Sequence, residues 1–372
     1  MSLKIFLTSD LHLGMKFAGY PKVQSELTEA RFATLENLVQ RANHENCNLF
    51  VVAGDLFDRV SIAKSNIIRA AQILSEFQGN LVTVLPGNHD FIIRGQNDLW
   101  AIFKESSGDN VKILGDRQIE PLHHYDLDVH LYPAPCEAKH SDENHINWIK
   151  ELPKNEDVTF HIGVAHGSLE GFSPDFDKEY YPMTVSELND CKLDIWLIGH
   201  THSQYPVRPS SQDRIFYPAT PEPDGFDCMH DGKAWIIEMD ETKRINPSSL
   251  TTGTYRFQHG EAELNRSSDV ETLLKKYSSN DYKRTLLKLK LKGRLPTEEY
   301  KRLPCLKENI EEQLFYIHWD DADIFEKITQ DIIDKEFTEG SFPHKLLSSL
   351  ADDIEDVEAL QIAYDLINEV KQ

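Results

Sequence analysis

The sequence is poor in three features that would each point to a particular class of protein. Only five of its 372 residues are cysteine, and no two have the spacing of a thiolate site, which excludes a zinc-finger-like structural metal. Its apolar runs stay well below the ~20 residues of a membrane-spanning helix. Basic residues are outnumbered, 39 against 62 acidic ones, and the net charge of −23 excludes a surface that binds nucleic acid over its whole area.

These absences are typical of a soluble cytoplasmic enzyme. The cysteines are odd in number and widely separated, so reduced thiols are expected. The amino terminus runs from Met1 directly into a strand-like segment, without a signal-peptide pattern. The length exceeds that of a usual single domain and predicts two or three domains. No association with a membrane is expected.

Polar residues follow five β-branched or leucine-rich runs, where buried strands should end. In chain order they are Asp10-Leu11-His12, Gly54-Asp55, Gly87-Asn88-His89-Asp90, His166-Gly167 and Gly199-His200-Thr201-His202. Open α/β sheets place their chemistry at the carboxyl ends of strands, so these side chains should meet. Together they supply oxygen and imidazole ligands for two divalent ions that share one carboxylate, a set that suits Mn, Fe or Zn. Two such ions are the usual means of activating water against a phosphate ester.

Each segment alone has an ordinary explanation. Asp-x-His arises by chance in many proteins, Gly-Asp after a strand is a common turn, and His-x-His on a loop can simply be solvated. Five such segments in a fixed order, each behind a strand-like run, are much harder to explain in this way. The sequence therefore predicts a phosphoesterase with two metal ions.

The same segments carry a family resemblance. Asp-x-His, Gly-Asp-x-x-Asp, Gly-Asn-His-Asp, a single His and Gly-His-x-His resemble the calcineurin-like metallophosphoesterase superfamily. The stretches 9–14, 53–58 and 86–90 resemble in particular the SbcD-type DNA repair exonucleases and their smaller YhaO-like relatives. The resemblance is specific from residue 1 to about 240 and looser beyond.

The resemblance implies a role for each of these residues. One metal ion would be held by Asp10, His12, Asp55 and His202, and the second by Asp55, Asn88, His166 and His200, with Asp55 bridging. His89 would stabilise the transition state or protonate the leaving oxygen. Asp58 would orient the ring of His89, with Asp90 as a competitor for that role. The implied cofactors are two divalent ions, manganese first, with iron, zinc or magnesium as alternatives.

The alternation of strands and helices in the first part of the chain predicts an α/β domain with parallel strands. The fold implied by the resemblance is a four-layer αββα metallophosphoesterase sandwich, followed by a C-terminal α+β capping domain and terminal helices. The predicted boundaries are 1–245 for the catalytic domain, 250–320 for the capping domain and 321–372 for the helical segment. Residues 240–253, which include Asn246-Pro247-Ser248-Ser249, are predicted to be a linker.

A local excess of positive charge lies beyond that boundary. Residues 275–302 contain ten Lys or Arg against three Asp or Glu, and leucines alternate there with Lys288, Lys290 and Lys292. Two explanations stay open: lysines that guard a solvent-facing or edge strand against aggregation, and a face that contacts DNA phosphates. The resemblance favours the second, because the accessory domain of that family helps to position DNA.

From residue 303 onward the balance reverses, to 5 basic and 18 acidic residues. Residues 322–337 and 354–370 are predicted to be amphipathic helices, whose apolar stripes either belong to a core or dock a partner helix. The resemblance implies an SMC-like ABC ATPase (SbcC-like) as that partner, and a homodimer is also left open.

The predicted function is that of a metal-dependent DNA nuclease in DNA repair, either an exonuclease or an endonuclease. The alternative is a phosphoesterase of the same superfamily that acts on a cyclic nucleotide, another small phosphodiester or a phosphoprotein. Val60 after Asp58-Arg59 departs from the Asp-Arg-Gly of the protein phosphatases. A scaffold with a degenerate site is disfavoured, because every ligand position and His89 hold the expected residue type.

Overall fold

The computed structural model describes residues 2–95, 99–176, 179–351 and 357–371. The chain forms two compact units, Met1–Gln258 and His259–Gln372. The strands of the first unit are β1 (Leu3–Thr8), β2 (Leu49–Ala53), β3 (Leu81–Leu85), β4 (Val111–Ile113), β5 (Glu120–Pro121), β6 (Val129–Ala134), β7 (Phe160–His166), β8 (Ile195–Gly199), β9 (Ile215–Phe216), β10 (Lys233–Met239) and β11 (Ile245–Thr251). Its helices are α1 (Gln24–His44), α2 (Lys64–Ser75), α3 (Leu99–Ser106) and α4 (Val185–Asp190).

The strands of the first unit form two mixed sheets. One has the order β11-β10-β1-β2-β3-β4, in which β1 to β4 are parallel while β10 and β11 run antiparallel to their neighbours. The other has the order β5-β6-β7-β8-β9, with β6 to β9 parallel and β5 antiparallel. All five residues of β2 are apolar and buried, as expected for a parallel strand that is covered on both faces.

Three apolar clusters define the layers of this unit. Leu7 and Val51 of the first sheet share one cluster with Leu197 of the second, which places that cluster between the sheets. Side chains from α1, α2 and α3 cover the outer face of the first sheet around Phe6. The outer face of the second sheet packs with α4 around Trp196. The predicted four-layer sandwich is thereby confirmed.

The segment predicted to be a linker is instead a strand. Residues 245–251 form β11, which pairs with β10 along its whole length at the edge of the six-stranded sheet. Pro247 and the two serines after it are compatible with this position, because an edge strand needs hydrogen bonds on one side only. The composition that suggested a linker is therefore that of a solvated edge.

The second unit contains a three-stranded sheet and two groups of helices. Its elements are α5 (Ser267–Lys276), β13 (Thr285–Leu295), α6 (Thr297–Lys301), α7 (Leu303–Glu311), β14 (Tyr316–Glu326), α8 (Gln330–Glu336), α9 (Phe342–Ala351) and α10 (Val357–Lys371), preceded by β12 (Arg256–Glu263). The sheet has the order β12-β13-β14, and its apolar face packs with residues of α5 and α7. A separate apolar cluster holds α8, α9 and α10 together.

The basic strand has the predicted alternation but not an edge position. Lys288, Lys290 and Lys292 are exposed, while the leucines between them are buried. The strand β13 lies between β12 and β14, so protection of an edge cannot explain its lysines. Its parallel neighbour β14 is acidic: Asp320 lies opposite Lys290, and Asp323 Oδ2 lies 2.8 Å from Lys290 Nζ.

The predicted helix over 322–337 is wrong in its first half. Residues up to Glu326 belong to β14, and only Gln330–Glu336 are helical. Ile317 and Ile324 turn into the core of the sheet, and pairing with β13 outweighs the helix-like spacing further along. The helix predicted over 354–370 is seen as α10, with 354–356 outside the described residues.

The apolar residues of α10 divide into two sets. Leu360, Tyr364 and Ile367 pack with α8 and α9, so that part of the stripe belongs to a core. Ile362, Leu366 and Val370 are exposed. Across the described residues, no helix combines the length and the apolar character needed to cross a membrane.

Candidate metal centre

The five polar segments converge where the two sheets of the first unit meet. Asp10, Asp55 and Asn88 follow β1, β2 and β3 of the six-stranded sheet, while His166 ends β7 and the His200-Thr201-His202 turn follows β8 of the five-stranded sheet. Main-chain hydrogen bonds fix the loops to one another, since Asp10 N donates to Gly54 O and His12 N to Asp55 O. The structure thus brings all seven predicted ligands together.

One group of donor atoms contains Asp10, His12 and His202. The Nε2 atoms of His12 and His202 are 3.1 Å apart, and His202 Nε2 lies 3.7 Å from Asp10 Oδ1. Asp55 reaches this group through Oδ2, which is 3.8 Å from His12 Nε2. These are the four residues predicted to hold the first ion.

The second group lies on the other side of Asp55. His166 Nε2 is 3.3 Å from Asp55 Oδ2 and 3.0 Å from Asn88 Oδ1. His200 Nδ1 is 3.3 Å from the same Asn88 oxygen. One carboxylate oxygen of Asp55 therefore lies within 4 Å of an imidazole nitrogen in each group.

The donor atoms fit a pair of divalent ions. Ligands held about 2.1 Å from one ion lie about 3.0–3.4 Å from each other at bond angles between 90° and tetrahedral. The separations of 3.0–3.8 Å within the two groups come close to that range. Imidazole nitrogens mixed with carboxylate and amide oxygens suit Mn, Fe and Zn better than Ca.

Four of the seven candidate ligands have a main chain in the left-handed region. The φ angles are 55° at Asp10, 45° at His12, 52° at Asp55 and 107° at His200. Non-glycine residues rarely adopt this conformation, and it persists where the surrounding structure imposes it, often at functional sites. Four of the eleven non-glycine residues with a positive φ in the described part of the chain are thus candidate ligands, which supports a functional role for these four.

Glycines next to these ligands allow the close approach. A Cβ atom on Gly54, whose φ is 94°, would overlap the imidazole of His166. A Cβ atom on Gly87 would overlap Asp55. The glycines of the motifs are therefore required by the contact between neighbouring ligand loops.

We expect Gly54→Ala to displace His166 and to destabilise the unit by roughly 1–3 kcal/mol, because it adds both backbone strain and a steric overlap. Thermal unfolding of the metal-free protein measures the stability, and metal titration measures the binding. Gly171→Ala is a suitable control, since its φ of 75° brings similar strain while a Cβ there meets no neighbour. Equal effects of the two variants would contradict the steric explanation.

Charge balance within the centre shifts several pKa values. Burial alone would lower the pKa of His166, but the charge of Asp55 and their hydrogen bond raise it to about 9. Burial would likewise raise the pKa of Asp55, yet His166 and His12 hold it well below its usual range. The imidazolium of His166 thus stabilises the ionised form of the buried Asp55, whereas burial lowers the pKa of His12 well below its usual value.

His89 lies in the wall of a cavity of about 370 Å³ that opens on the centre. Its main-chain N–H donates to Asp55 Oδ1 at 2.8 Å, and its Nδ1 lies 2.9 Å from the main-chain oxygen of Asp58. The ring of His12 stands edge-on to it at 4.7 Å. A ring nitrogen of His89 also lies within 4.8 Å of a donor atom of His12 and of a carboxylate oxygen of Asp55. The geometry alone therefore permits His89 to bind a metal ion as well.

The orientation of His89 comes from a carbonyl and not from the carboxylate that sequence reasoning named. The carboxylate of Asp58 accepts hydrogen bonds from Arg59, with Nε at 2.8 Å. Asp90 accepts from Gly87 N at 2.7 Å and Phe57 N at 2.9 Å, so it ties two motif loops together. Burial and the charge of Asp55 raise the pKa of Asp90 to about 7.

Two loop carboxylates in the cavity wall were not predicted. Asp175 Oδ2 lies 3.0 Å from His200 Nε2, and Asp224 Oδ2 lies 2.9 Å from His202 Nδ1. The sequence shows both loops only as proline- and glycine-containing turns at 171–174 and 221–225. The three lysines proposed for DNA contact belong to the second unit.

Comparison with known families decides the class of this centre. A model of the calcineurin-like phosphoesterase family matches residues 3–204, more than half of the chain. The chain belongs to that family. It is therefore a metallophosphoesterase, a hydrolase that acts on phosphoester bonds, and its clustered His and Asp residues form a candidate binuclear site.

Individual proteins match this phosphoesterase at low sequence identity. It is 27% identical over 224 residues to the uncharacterized metallophosphoesterase YhaO of Bacillus subtilis, covering 56% of this chain and 51% of that protein. The chain thus spans about half the length of this curated relative. Among solved structures, the calcineurin-like phosphoesterase YfkN from Bacillus subtilis has a TM-score of 0.42 at 15% identity, covering 68% of this chain and 91% of that one. A dimetal phosphatase from Danio rerio has a TM-score of 0.39 at 10% identity, covering 67% and 99%.

Proposed function

We propose that this phosphoesterase is a metal-dependent nuclease that hydrolyses phosphodiester bonds of DNA through a pair of divalent ions, manganese in the first instance. One observation carries the proposal of a paired centre: Asp55 Oδ2 lies 3.8 Å from His12 Nε2 and 3.3 Å from His166 Nε2, so one carboxylate serves both groups of ligands. Asp10, His12 and His202 would hold the first ion, and Asn88, His166 and His200 would hold the second.

The residues of the chain divide the chemistry between them. Ions bound at the two positions would neutralise the phosphate and lower the pKa of water. The Asp58 carbonyl accepts from His89 Nδ1–H, which leaves Nε2 as the nitrogen that carries a second proton. His89 then gives that proton to the leaving oxygen, and the bond from its main chain to Asp55 keeps the ring beside the centre.

The charge around the cavity supports a phosphodiester rather than a phosphomonoester. Among the described residues that line the cavity there are four aspartates and neither Lys nor Arg. Two divalent ions would bring about +4, which the aspartates of the wall and centre largely offset. A diester carries one negative charge and a monoester close to two at neutral pH, so the monoester meets the greater repulsion.

Assignment of DNA as the substrate rests on the motifs. The stretches 9–14, 53–58 and 86–90 resemble the SbcD-type DNA repair exonucleases. The exposed face of Lys288, Lys290 and Lys292 offers a place for backbone phosphates in the second unit. Contacts to phosphates supply most of the sequence-independent affinity of a protein for DNA.

A second candidate substrate is a small phosphodiester, such as a cyclic nucleotide. Lys290 forms an ion pair with Asp323, and the charge of Asp320 acts on it as well. A lysine face compensated by an acidic neighbouring strand attracts a polyanion less than its sequence suggests. This pairing favours a substrate that the cavity can bind without help from the second unit.

Substrate profiling separates the two candidates. The full chain, loaded with manganese, is offered end-labelled linear DNA, covalently closed circular DNA, a cyclic nucleotide and a phosphopeptide at matched concentrations. Cleavage of DNA supports the proposal, and the circular substrate distinguishes endonuclease from exonuclease action. Hydrolysis of the cyclic nucleotide with intact DNA would replace the proposal by the second candidate.

Neutralisation of the lysine face tests its share in DNA binding. We expect the triple variant with glutamine at 288, 290 and 292 to bind DNA more weakly and with a shallower salt dependence. Each lost phosphate contact removes roughly 0.7–0.9 from the log–log slope. Hydrolysis of a small aryl diester should persist, because that chemistry lies in the first unit. Unchanged DNA affinity at every salt concentration would show that the face is only a solvated one.

A further inference from the structure

A fully buried arginine lies behind one half of the metal centre. Arg31 belongs to α1 and is 1% exposed. Arginine is almost never buried to this extent unless it is paired. Its Nη1 donates to the main-chain oxygen of Leu11 at 2.7 Å, and its Nη2 lies 3.7 Å from Asp224 Oδ2. Helix α1 thereby places a positive charge between the loop that carries Asp10 and His12 and the loop that carries Asp224.

Asp224 connects Arg31 to His202, one of the proposed metal ligands. Its Oδ2 lies 2.9 Å from His202 Nδ1 and accepts the hydrogen bond of that nitrogen. The bond fixes the tautomer, so that the lone pair of His202 is on Nε2, the atom that faces His12 and Asp10.

The other contact of Arg31 reaches the remaining two ligands through the main chain. Leu11 lies between Asp10 and His12, and both of these have the left-handed conformation described above. A hydrogen bond to the Leu11 carbonyl holds the short segment in which two strained ligands follow each other. The guanidinium of Arg31 thus contacts both the main chain between Asp10 and His12 and the carboxylate that binds His202.

The two histidines of the second group have side-chain hydrogen-bond partners of their own. His200 Nε2 donates to Asp175, which leaves Nδ1 as the nitrogen that faces Asn88. His166 Nδ1 donates to the Ala53 carbonyl at 2.9 Å and presents Nε2 instead. The side-chain hydrogen bonds that orient the histidines of the two groups therefore go to different residues, although the main-chain N–H of His200 also donates to Asp10 at 3.2 Å.

We propose that Arg31 and Asp224 are positioning residues for the ion held by Asp10, His12 and His202, and that they set its affinity without affecting that of the other ion. The inference rests on the proposed binuclear site. Loss of the hydrogen-bond partner of a ligating histidine usually lowers metal affinity by roughly 10–100-fold. The loss of Arg31 should have a comparable effect, because the partly buried Asp224 would lose the guanidinium beside it and the Leu11 carbonyl would lose its donor.

The test is a stepwise manganese titration of the metal-free full chain. Binding is monitored by calorimetry and by electron paramagnetic resonance of the bound ion. We expect Asp224→Asn and Arg31→Gln each to weaken one of the two binding steps by roughly 10–100-fold and to leave the other within about threefold. The double variant should lose less than the sum of the two single losses, since Arg31 acts in part through Asp224 and both residues position the same ion. Arg31→Lys should restore binding only in part, because one ammonium cannot serve Leu11 and Asp224 together.

Two control variants make the result specific. Asp175→Asn should weaken the other binding step and spare the step that Asp224→Asn affects. Arg69→Gln removes a partly exposed arginine on α2 that pairs with Glu29 and Glu36, and it should change neither step. Circular dichroism and thermal unfolding of each metal-free variant verify the fold, and Asp224→Asn carries the test if Arg31→Gln does not fold.

The outcomes separate the inference from the function on which it rests. A wild-type chain that binds fewer than two ions would overturn the binuclear site itself. A wild type with two ions, together with variants that weaken both steps equally or neither, would overturn only the inference. Selective loss of one step in Asp224→Asn and of the other in Asp175→Asn would establish it.

Discussion

The variant Asp55→Ala should bind at most one manganese ion where the wild type binds two, and its turnover should fall by roughly 10³-fold or more. The reason is the position of Asp55 between the two groups of ligands, with Oδ2 within 4 Å of both His12 and His166. Its other oxygen holds the main chain of His89, so the variant also loosens the proton donor. Metal analysis after manganese loading and exhaustive dialysis gives the stoichiometry.

A matched control for this prediction is Asp142→Ala, which removes an exposed carboxylate outside the centre. It should retain two ions and full turnover. A wild-type stoichiometry of one that Asp55→Ala leaves unchanged would refute the shared carboxylate. Turnover is measured on an aryl phosphodiester, so the result does not depend on the natural substrate.

His89→Ala should retain both ions and still lose roughly 10²–10⁴ in turnover, the usual contribution of a positioned general acid. Asn88 already supplies an oxygen at that strand end, so the second group does not need the imidazole. The bond from Nδ1 to the Asp58 carbonyl holds the ring with its other nitrogen available for proton transfer. Metal stoichiometry and turnover of the same preparation are measured together.

The leaving group distinguishes proton donation from metal binding. A nitrophenyl diester needs little protonation of its leaving oxygen, so His89→Ala should lose less activity on it than on an alkyl diester. His123→Ala, which removes an exposed histidine, should affect neither substrate. Parallel loss of metal and activity, equal for both diesters, would make His89 a ligand, a role that its distance from His12 and Asp55 also allows.

Much of the centre could be predicted because its residues follow strands. Continuous apolar runs such as Leu49–Ala53 identify buried parallel strands, and parallel strands end at a common edge. The polar residue that follows each run is therefore expected to lie near the others. The layered arrangement follows from the same runs, since strands apolar on both faces need cover on both.

The supporting residues could not be predicted because they lie on loops or act through the main chain. Asp175 and Asp224 lie in or beside turns that are rich in proline and glycine. Such a composition predicts a turn but not which side chains the turn brings to the metal centre. Arg31 has the position of a core residue in α1, and only the structure shows that its charge is paired. The orientation of His89 by a carbonyl depends on the path of the chain and not on the identity of residue 58.

Two errors in the second half of the chain have a common physical cause. The composition of β11 suggested a linker and the spacing in 322–337 suggested a helix, yet pairing with a neighbouring strand decided both. Serine, proline and aspartate are acceptable on a solvated strand when the partner strand supplies the hydrogen bonds. The pattern of residues within a segment gives no information on whether a neighbouring strand is available to pair with it.

The origin of the ligands from two different sheets has a consequence for folding. Asp10, Asp55 and Asn88 belong to one sheet and the histidines after β7 and β8 to the other, so neither sheet alone can assemble either half of the centre. Ions that bind only the completed sandwich would act as a staple between the sheets. Each would stabilise it by about 2.7 kcal/mol at a free concentration one hundred times its dissociation constant. The ions that serve catalysis would then also hold the two halves of the domain together.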